Sequence, residues 1–247
     1  MAPLVHRVTS PISLFLLPTD NALPIIRYFQ KQAFPIMFIT FEGIEGCGKS
    51  TQIRLLAQSL ATTGHQVVVT REPGGCPIAD QIRAILLDAD NRAMVSAAEL
   101  LLYGAARAQH LAEVVCPALD QGQIVLCDRF SDATRAYQAF GRGLDRQQIE
   151  QVNLLACQGL APDLTLLLDC PVETGLARAR QRIDASSGPR EERFELEALE
   201  FHQRVRDGYL ALAVEEPHRF VTIDAAQSPE QVATHVATAV RNRLKAR

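Results

Sequence analysis

The sequence predicts an α/β fold, a parallel five-stranded sheet flanked by helices, and three observations carry that prediction. Apolar runs bounded by turn residues alternate with stretches of helical period, the pattern of repeated βαβ units. The first of these units contains Gly43-Ile44-Glu45-Gly46-Cys47-Gly48-Lys49-Ser50, an uninterrupted G-x-x-x-x-G-K-[ST] placed between an apolar run and a helical pattern. The length of 247 residues, with 47% apolar and 21% charged side chains, suits one such domain with a full core.

Residues 1–36 stand apart from this pattern. Pro3, Pro11, Pro18, Pro24 and Pro35 interrupt their apolar runs too often for a membrane span of about 20 residues. The stretch 12–17 is too short for a signal-peptide core and no A-x-A site follows it. Arg7, Arg27 and Lys31 against Asp20 are the one hint of a transit peptide. The domain is expected to start at Met37, with 1–36 a disordered extension or a start-site artefact. Strands are expected at 36–42, 65–70, 123–128, 164–169 and 219–223. Helices are expected at 51–62, 78–87, 97–120, 145–158, 172–182, 195–214 and 229–244. In such a sheet, ligands sit beyond the carboxyl ends of the strands. Glu42, Arg71, Asp128, Arg129 and Asp169 fall there.

The Gly-rich segment with Thr51 is read as a phosphate-binding P-loop. Its glycines let backbone N–H groups point inward at phosphate oxygens, and the positive end of the following helix adds to the attraction. Lys49 would reach the transferred phosphates and Ser50 would hold Mg²⁺. A nucleoside triphosphate is the expected ligand. The net charge of -3 excludes the basic footprint of a nucleic-acid binder. Lys31, Lys49 and Lys245 are the chain's lysines and none follows an Asn, so the N-K-x-D motif of guanine-specific switches is missing. Cys47, Cys76, Cys116, Cys127, Cys157 and Cys170 form no C-x-x-C pair, which points to a reducing cytosol without metal or disulfides.

Asp128 ends an apolar strand, where a carboxylate reaches Mg²⁺ directly or through water; an Asp there also serves as a helix cap. Arg129 beside it favours the metal reading, since a guanidinium forks between phosphate oxygens. Thr70-Arg71-Glu72-Pro73-Gly74-Gly75 closes a strand with a rigid Pro and two permissive Gly, a loop suited to close approach to a ligand. Tyr103 and Arg107 stand four apart on one helix face. They read either as a base-stacking aromatic with a base-reading arginine, or as a core Tyr with a surface Arg. Arg178, Arg180, Arg182, Arg190 and Arg193 surround Asp184-Ala-Ser-Ser-Gly-Pro189. That is the pattern of a lid over polyphosphate at about 180–193, or of a solvated helix end and linker.

These segments, with Gly141-Arg-Gly143, Pro162-Asp-Leu-Thr-Leu-Leu-Leu-Asp169 and Glu192-Arg-Phe-Glu195, follow the order and spacing of bacterial thymidylate kinases. The chain resembles that family from about residue 37 to its C-terminus. The resemblance implies a P-loop kinase fold, Mg²⁺-assisted phosphoryl transfer from ATP to dTMP giving dTDP, and a homodimer; the cysteines, charge and broken apolar runs add the expectation of a cytoplasmic protein without nucleic-acid or membrane partners. Carried over by position, Glu45 contacts the 3′-hydroxyl of the acceptor sugar and Tyr103 stacks on thymine. Arg107 and Thr134 read the base, Tyr137 lies beside the deoxyribose, and Arg71 and Pro73 line the acceptor. Asp128 and Arg129 organise metal and phosphates. A P-loop without Arg beside an Arg-rich lid implies that the catalytic positive charge comes from the lid. Arg178 and Arg182 share a helix face, and Arg182, nearer the loop, is the expected catalytic one. Ala133 and Cys76 stand where Ser and Thr are usual, which puts those hydrogen bonds in question, and Cys47 replaces a residue commonly Ala. Two other readings stay open: a kinase of another nucleoside monophosphate or a deoxynucleoside, and a non-catalytic P-loop nucleotide-binding regulator. The regulator would not need the clamp formed by Lys49, Ser50, Asp128, Arg129 and the lid arginines.

Overall fold

A computed structural model describes residues 37–184, 193–194 and 197–246, without side chains at 182–184. The extension expected at 1–36 and residues 185–192 of the expected lid lie outside the described residues. Five strands, β1 (Met37–Glu42), β2 (Val67–Arg71), β3 (Ile124–Asp128), β4 (Leu164–Asp169) and β5 (Phe220–Asp224), pair in parallel in the order β2-β3-β1-β4-β5. β1 and β4 are buried or nearly so along their whole length, as β-branched and Leu-rich strands covered on both faces by helices must be. Phe38 and Val125, partners across β1 and β3, lie in one apolar cluster, while Ile39 and Leu126, next along, lie in the larger one on the other face. Connections leave the central β1 in both directions, so a ligand crevice opens beyond its carboxyl end.

The helices are α1 (Lys49–Thr62), α2 (Pro77–Leu87), α3 (Ser96–His110), α4 (Cys116–Asp120), α5 (Ser131–Thr134), α6 (Arg146–Cys157), α7 (Val172–Asp184), α8 (Leu199–Glu215) and α9 (Pro229–Lys245). α1 packs on α9, α2 on α3 and α3 on α6.

Three departures from the expected elements have physical causes. The helix expected at 97–120 is α3 and α4 joined by a π-helical turn, Leu111–Val115. Pro117 has no N–H to donate and its ring crowds the carbonyl of Glu113, so the wider turn sits where a regular helical bond would have closed. No helix was expected at 131–141, yet α5 continues as a π-helical stretch, Arg135–Gly141. Ala136, Tyr137, Gln138, Ala139 and Gly141 are all buried there, so no polar face marks a helical period. Finally, α8 starts at Leu199 rather than 195.

Candidate active site

β1 delivers the P-loop to the carboxyl edge of the sheet. Gly46 has φ +70, and a Cβ there would lie 1.9 Å from the carbonyl oxygen of Gly175, in the first turn of α7. A Cβ on Gly175 would in turn meet the Glu45 carbonyl at 2.6 Å. The two glycines seat the base of α7 against the loop, so the helix that carries Arg178 and Arg182 rises from the P-loop. Lys49 is buried, and its ammonium donates to the carbonyls of Gly43 and Ile44 at 3.0 and 2.9 Å. Ser50 Oγ donates to Asp128 Oδ2 at 3.2 Å, which brings a hydroxyl and a carboxylate together at the start of α1. Ser50 and Thr51 are exposed there.

Next to the loop stands Arg129, a non-glycine residue in the left-handed region at φ 69. Such strain gathers at functional sites and persists only when the surroundings enforce it. The Arg129 N–H donates to the Phe41 carbonyl at 2.9 Å, and the Phe130 N–H donates to Glu42 Oε1 at 2.7 Å. The guanidinium donates to Glu45 Oε1 at 2.9 Å and to the Tyr209 hydroxyl at 3.3 Å, and lies 4.7 Å from the Tyr137 ring centroid. Tyr137 donates its hydroxyl to the same Glu45 oxygen at 2.5 Å, and Tyr209 donates to Glu42 Oε2 at 2.7 Å. Burial alone would raise the Glu45 pKa, but Arg129, His202, Lys49 and Tyr137 together hold it well below the usual carboxylate range. Glu42 behaves oppositely: burial first and Asp132 second push it up to about 8, against Arg129 and its two hydrogen-bond donors.

Arg107 is 2% exposed, which removes the reading of a surface arginine. Its guanidinium donates to Glu72 Oε2 at 2.8 Å, Asn153 Oδ1 at 2.8 Å, the Phe130 carbonyl at 3.1 Å and Thr134 Oγ1 at 2.9 Å. The other Glu72 oxygen meets His110 Nδ1 at 3.0 Å, and His110 Nε2 meets Thr70 Oγ1 at 2.6 Å. Arg107 and Thr134 are thus brought together. Tyr103, one turn earlier, is half-buried against the main core, and burial pushes its hydroxyl pKa up. Arg71 is not drawn into this cluster: it is exposed and pairs with Asp80 at 3.0 Å. The Pro73 carbonyl accepts from Arg83 at 3.0 Å. Cys76 precedes α2 without a side-chain cap, as its departure from Thr leads one to expect.

The arginines of the expected lid separate. Arg178 donates to the Ala225 carbonyl at 3.2 Å and Arg180 is exposed, while the Arg182 side chain lies outside the described residues. Arg193, expected in the lid, is instead buried, donating to the Leu86 carbonyl and to Glu99 Oε2 at 2.5 and 2.6 Å. Glu99 is itself 1% exposed and also accepts from Gln138 and Arg142. Two opposite charges paired this deeply make Arg193 an anchor of the chain rather than a mobile phosphate ligand. Glu72, His110, Asn153, His202 and Tyr209 are site residues to which the sequence reading gave no role. The one signal was a carboxylate, Glu42 or Glu72, ending or following an apolar strand.

The thymidylate kinase family model matches residues 41–236. The thymidylate kinase of Trichlorobacter lovleyi is 74% identical over 208 residues, which covers 84% of this chain and 98% of that protein. The thymidylate kinase of Geobacter sulfurreducens is 64% identical over 210 residues, covering 85% and 99% respectively. A crystal structure of thymidylate kinase from Ehrlichia chaffeensis is 36% identical and aligns with a TM-score of 0.66, over 83% of this chain and 98% of that one.

Proposed function

This chain belongs to the thymidylate kinase family, and from that premise we infer how its residues carry the transfer of a phosphoryl group from ATP to dTMP, giving dTDP and ADP. The acceptor phosphate oxygen is already a nucleophile, so no general base is needed. Catalysis is positioning plus neutralisation of charge. The P-loop from Gly43 to Thr51 wraps the ATP phosphates with backbone N–H groups, and Lys49 exchanges its carbonyl partners for phosphate oxygens. Ser50 and Asp128 would hold Mg²⁺, which fits their donor set: two hard oxygens 3.2 Å apart, with the other coordination places left to phosphates and water. Held there, Mg²⁺ would supply positive charge against the charge that develops on the transferring phosphoryl group.

Glu45 takes the 3′-hydroxyl of the acceptor sugar, with Tyr137 beside the deoxyribose. Arg129, clamped by Glu45 and Tyr209, forks between phosphates. Tyr103 stacks on the base, Arg107 and Thr134 read it, and Arg71 and Pro73 border the acceptor. Arg182 arrives with the lid, which also excludes water from the transferring group. The observation that carries this reading is the Arg129–Glu45 contact of 2.9 Å, because it joins the P-loop to the acceptor cluster in one preformed unit. A homodimer in the cytoplasm completes the proposal. The neighbouring helices α2, α3 and α6 expose Ile78, Ile85, Leu101, Leu154 and Leu155, an apolar surface of the kind that subunits cover.

Acceptor-dependent ADP release tests the assignment. dTMP is expected to be fastest and AMP or CMP near background. dUMP, lacking one methyl group, is expected to lose about 10- to 200-fold in kcat/KM. Equal turnover of AMP or CMP overturns the acceptor assignment, and no ADP release with any acceptor favours the regulator.

A further inference from the structure

His202, on α8, is 0% exposed, and neither of its ring nitrogens has a hydrogen-bond partner. Its Nδ1 lies 3.4 Å from Glu45 Oε2, a buried oxygen that also lacks a hydrogen bond. Buried polar atoms are paired in nearly every folded protein, and an apolar side chain in place of His202 would avoid the desolvation cost altogether. The unpaired Nδ1 and Glu45 Oε2, facing each other at 3.4 Å, therefore point to a demand of the site and not of the fold. Glu45 Oε1 is already engaged by Arg129 and Tyr137, so Oε2 is the carboxylate oxygen whose lone pairs remain unused. Because Glu45 is held ionised by its surroundings, it can only accept, and the imidazole must present Nδ1–H to it. The Phe201 ring packs edge-on to the imidazole at 5.5 Å and fixes its plane.

We propose that His202 is a positioning residue for the acceptor sugar: its Nδ1–H orients Glu45 Oε2 so that the remaining lone pair of this oxygen meets the 3′-hydroxyl of the bound nucleotide. The inference rests on the assignment of Glu45 to that hydroxyl. Steady-state kinetics with two acceptors, dTMP and its 3′-deoxy analogue, test it. Both values come from one enzyme preparation, so their ratio is independent of how much of a variant is folded. His202→Leu is expected to lower kcat/KM for dTMP by about 10-fold or more, the loss typical of a hydrogen bond to a charged group, and to leave the 3′-deoxy acceptor within about 2-fold of wild type. His202→Asn, whose amide nitrogen occupies the place of Nδ1, is expected to recover most of the preference for dTMP. Glu45→Gln should collapse the same ratio. If Glu45→Gln does so while His202→Leu lowers both acceptors equally or neither, His202 is structural and the inference is overturned. If Glu45→Gln itself lowers both acceptors equally, the assignment of Glu45 fails and the inference fails with it.

Discussion

In the site we propose, consecutive residues from Gly43 to Ser50 make the donor half, whereas the acceptor half draws Glu72, Arg107, Arg129, Tyr137, His202 and Tyr209 from separate parts of the chain. The donor half is shaped by backbone: glycine conformations, a helix N-terminus and a lysine resting on its own loop's carbonyls. The acceptor half is shaped by buried charge, with Arg107 and Glu72 each about 2–3% exposed at the side chain and tied into one network with His110, Asn153 and Thr134. Phosphates present much the same oxygens whatever nucleotide bears them, so a loop suffices for them. Selecting one sugar and one base requires side chains held rigidly from several directions, and such groups cannot be removed without harming the fold.

The largest expected effects contrast one residue from each half. Lys49→Met should lower kcat by about 10²- to 10³-fold, the loss of one preorganised charge contact, while leaving the melting temperature near wild type. Arg107→Met should instead destabilise the protein by about 3–5 kcal/mol in chemical denaturation, because Glu72 stays buried without its cation. A Lys49 variant as unstable as the Arg107 variant would dissolve the distinction between the halves.

The arginines of the proposed lid sharpen the comparison. Arg182→Ala is expected to reduce kcat by at least about 100-fold with much smaller changes in KM for ATP and dTMP, since the contact would form mainly on closure. Arg193→Ala should act through stability, because that side chain already pairs with Glu99 at 2.6 Å. Wild-type kcat in Arg182→Ala together with lost turnover in Arg178→Ala would move the catalytic role along α7. Wild-type turnover in both would remove the lid from the mechanism.

How much was legible in the sequence follows the same division. The five strands lie within two residues of their expected spans and the P-loop was readable whole, because apolar runs, glycines and Lys49 are local signals. Asp128 and Ser50, 78 positions apart, were paired by motif and the structure places them 3.2 Å apart. What escaped was long-range. Glu42 and Tyr209 meet across 167 positions and Arg107 and Asn153 across 46, and nothing in the local pattern of α8 or α6 distinguishes these residues from ordinary helix positions. Arg193 was misread because a run of arginines looks alike whether it faces solvent or a buried Glu99. The helix after Phe130 went unseen because burial on nearly every side erased its period.

The smallest expected effect concerns Glu42, which lies between the halves: one of its oxygens takes the Phe130 N–H that follows Arg129, and the other takes the Tyr209 hydroxyl that Arg129 touches. Its folded-state pKa, raised to about 8 first by burial and then by Asp132, exceeds the ordinary 4.5 of an unfolded chain. Between those values the native state keeps a proton that the unfolded state releases, so this group's contribution is complete below pH 4.5 and is lost as pH rises toward 8. Glu45, shifted the other way, changes its contribution only as pH falls below the ordinary carboxylate range, so the two windows do not overlap. Denaturant titrations should therefore show wild-type stability declining by about 1–2 kcal/mol between roughly pH 6 and pH 7.5 relative to Glu42→Gln, which has no proton to lose there. An identical slope in both proteins would place the titrating group elsewhere. It would also mean that Glu42 is ionised at neutral pH, holding Phe130 and Tyr209 as a carboxylate, and that the strained backbone of Arg129 is supported by a full charge and not by a neutral acid.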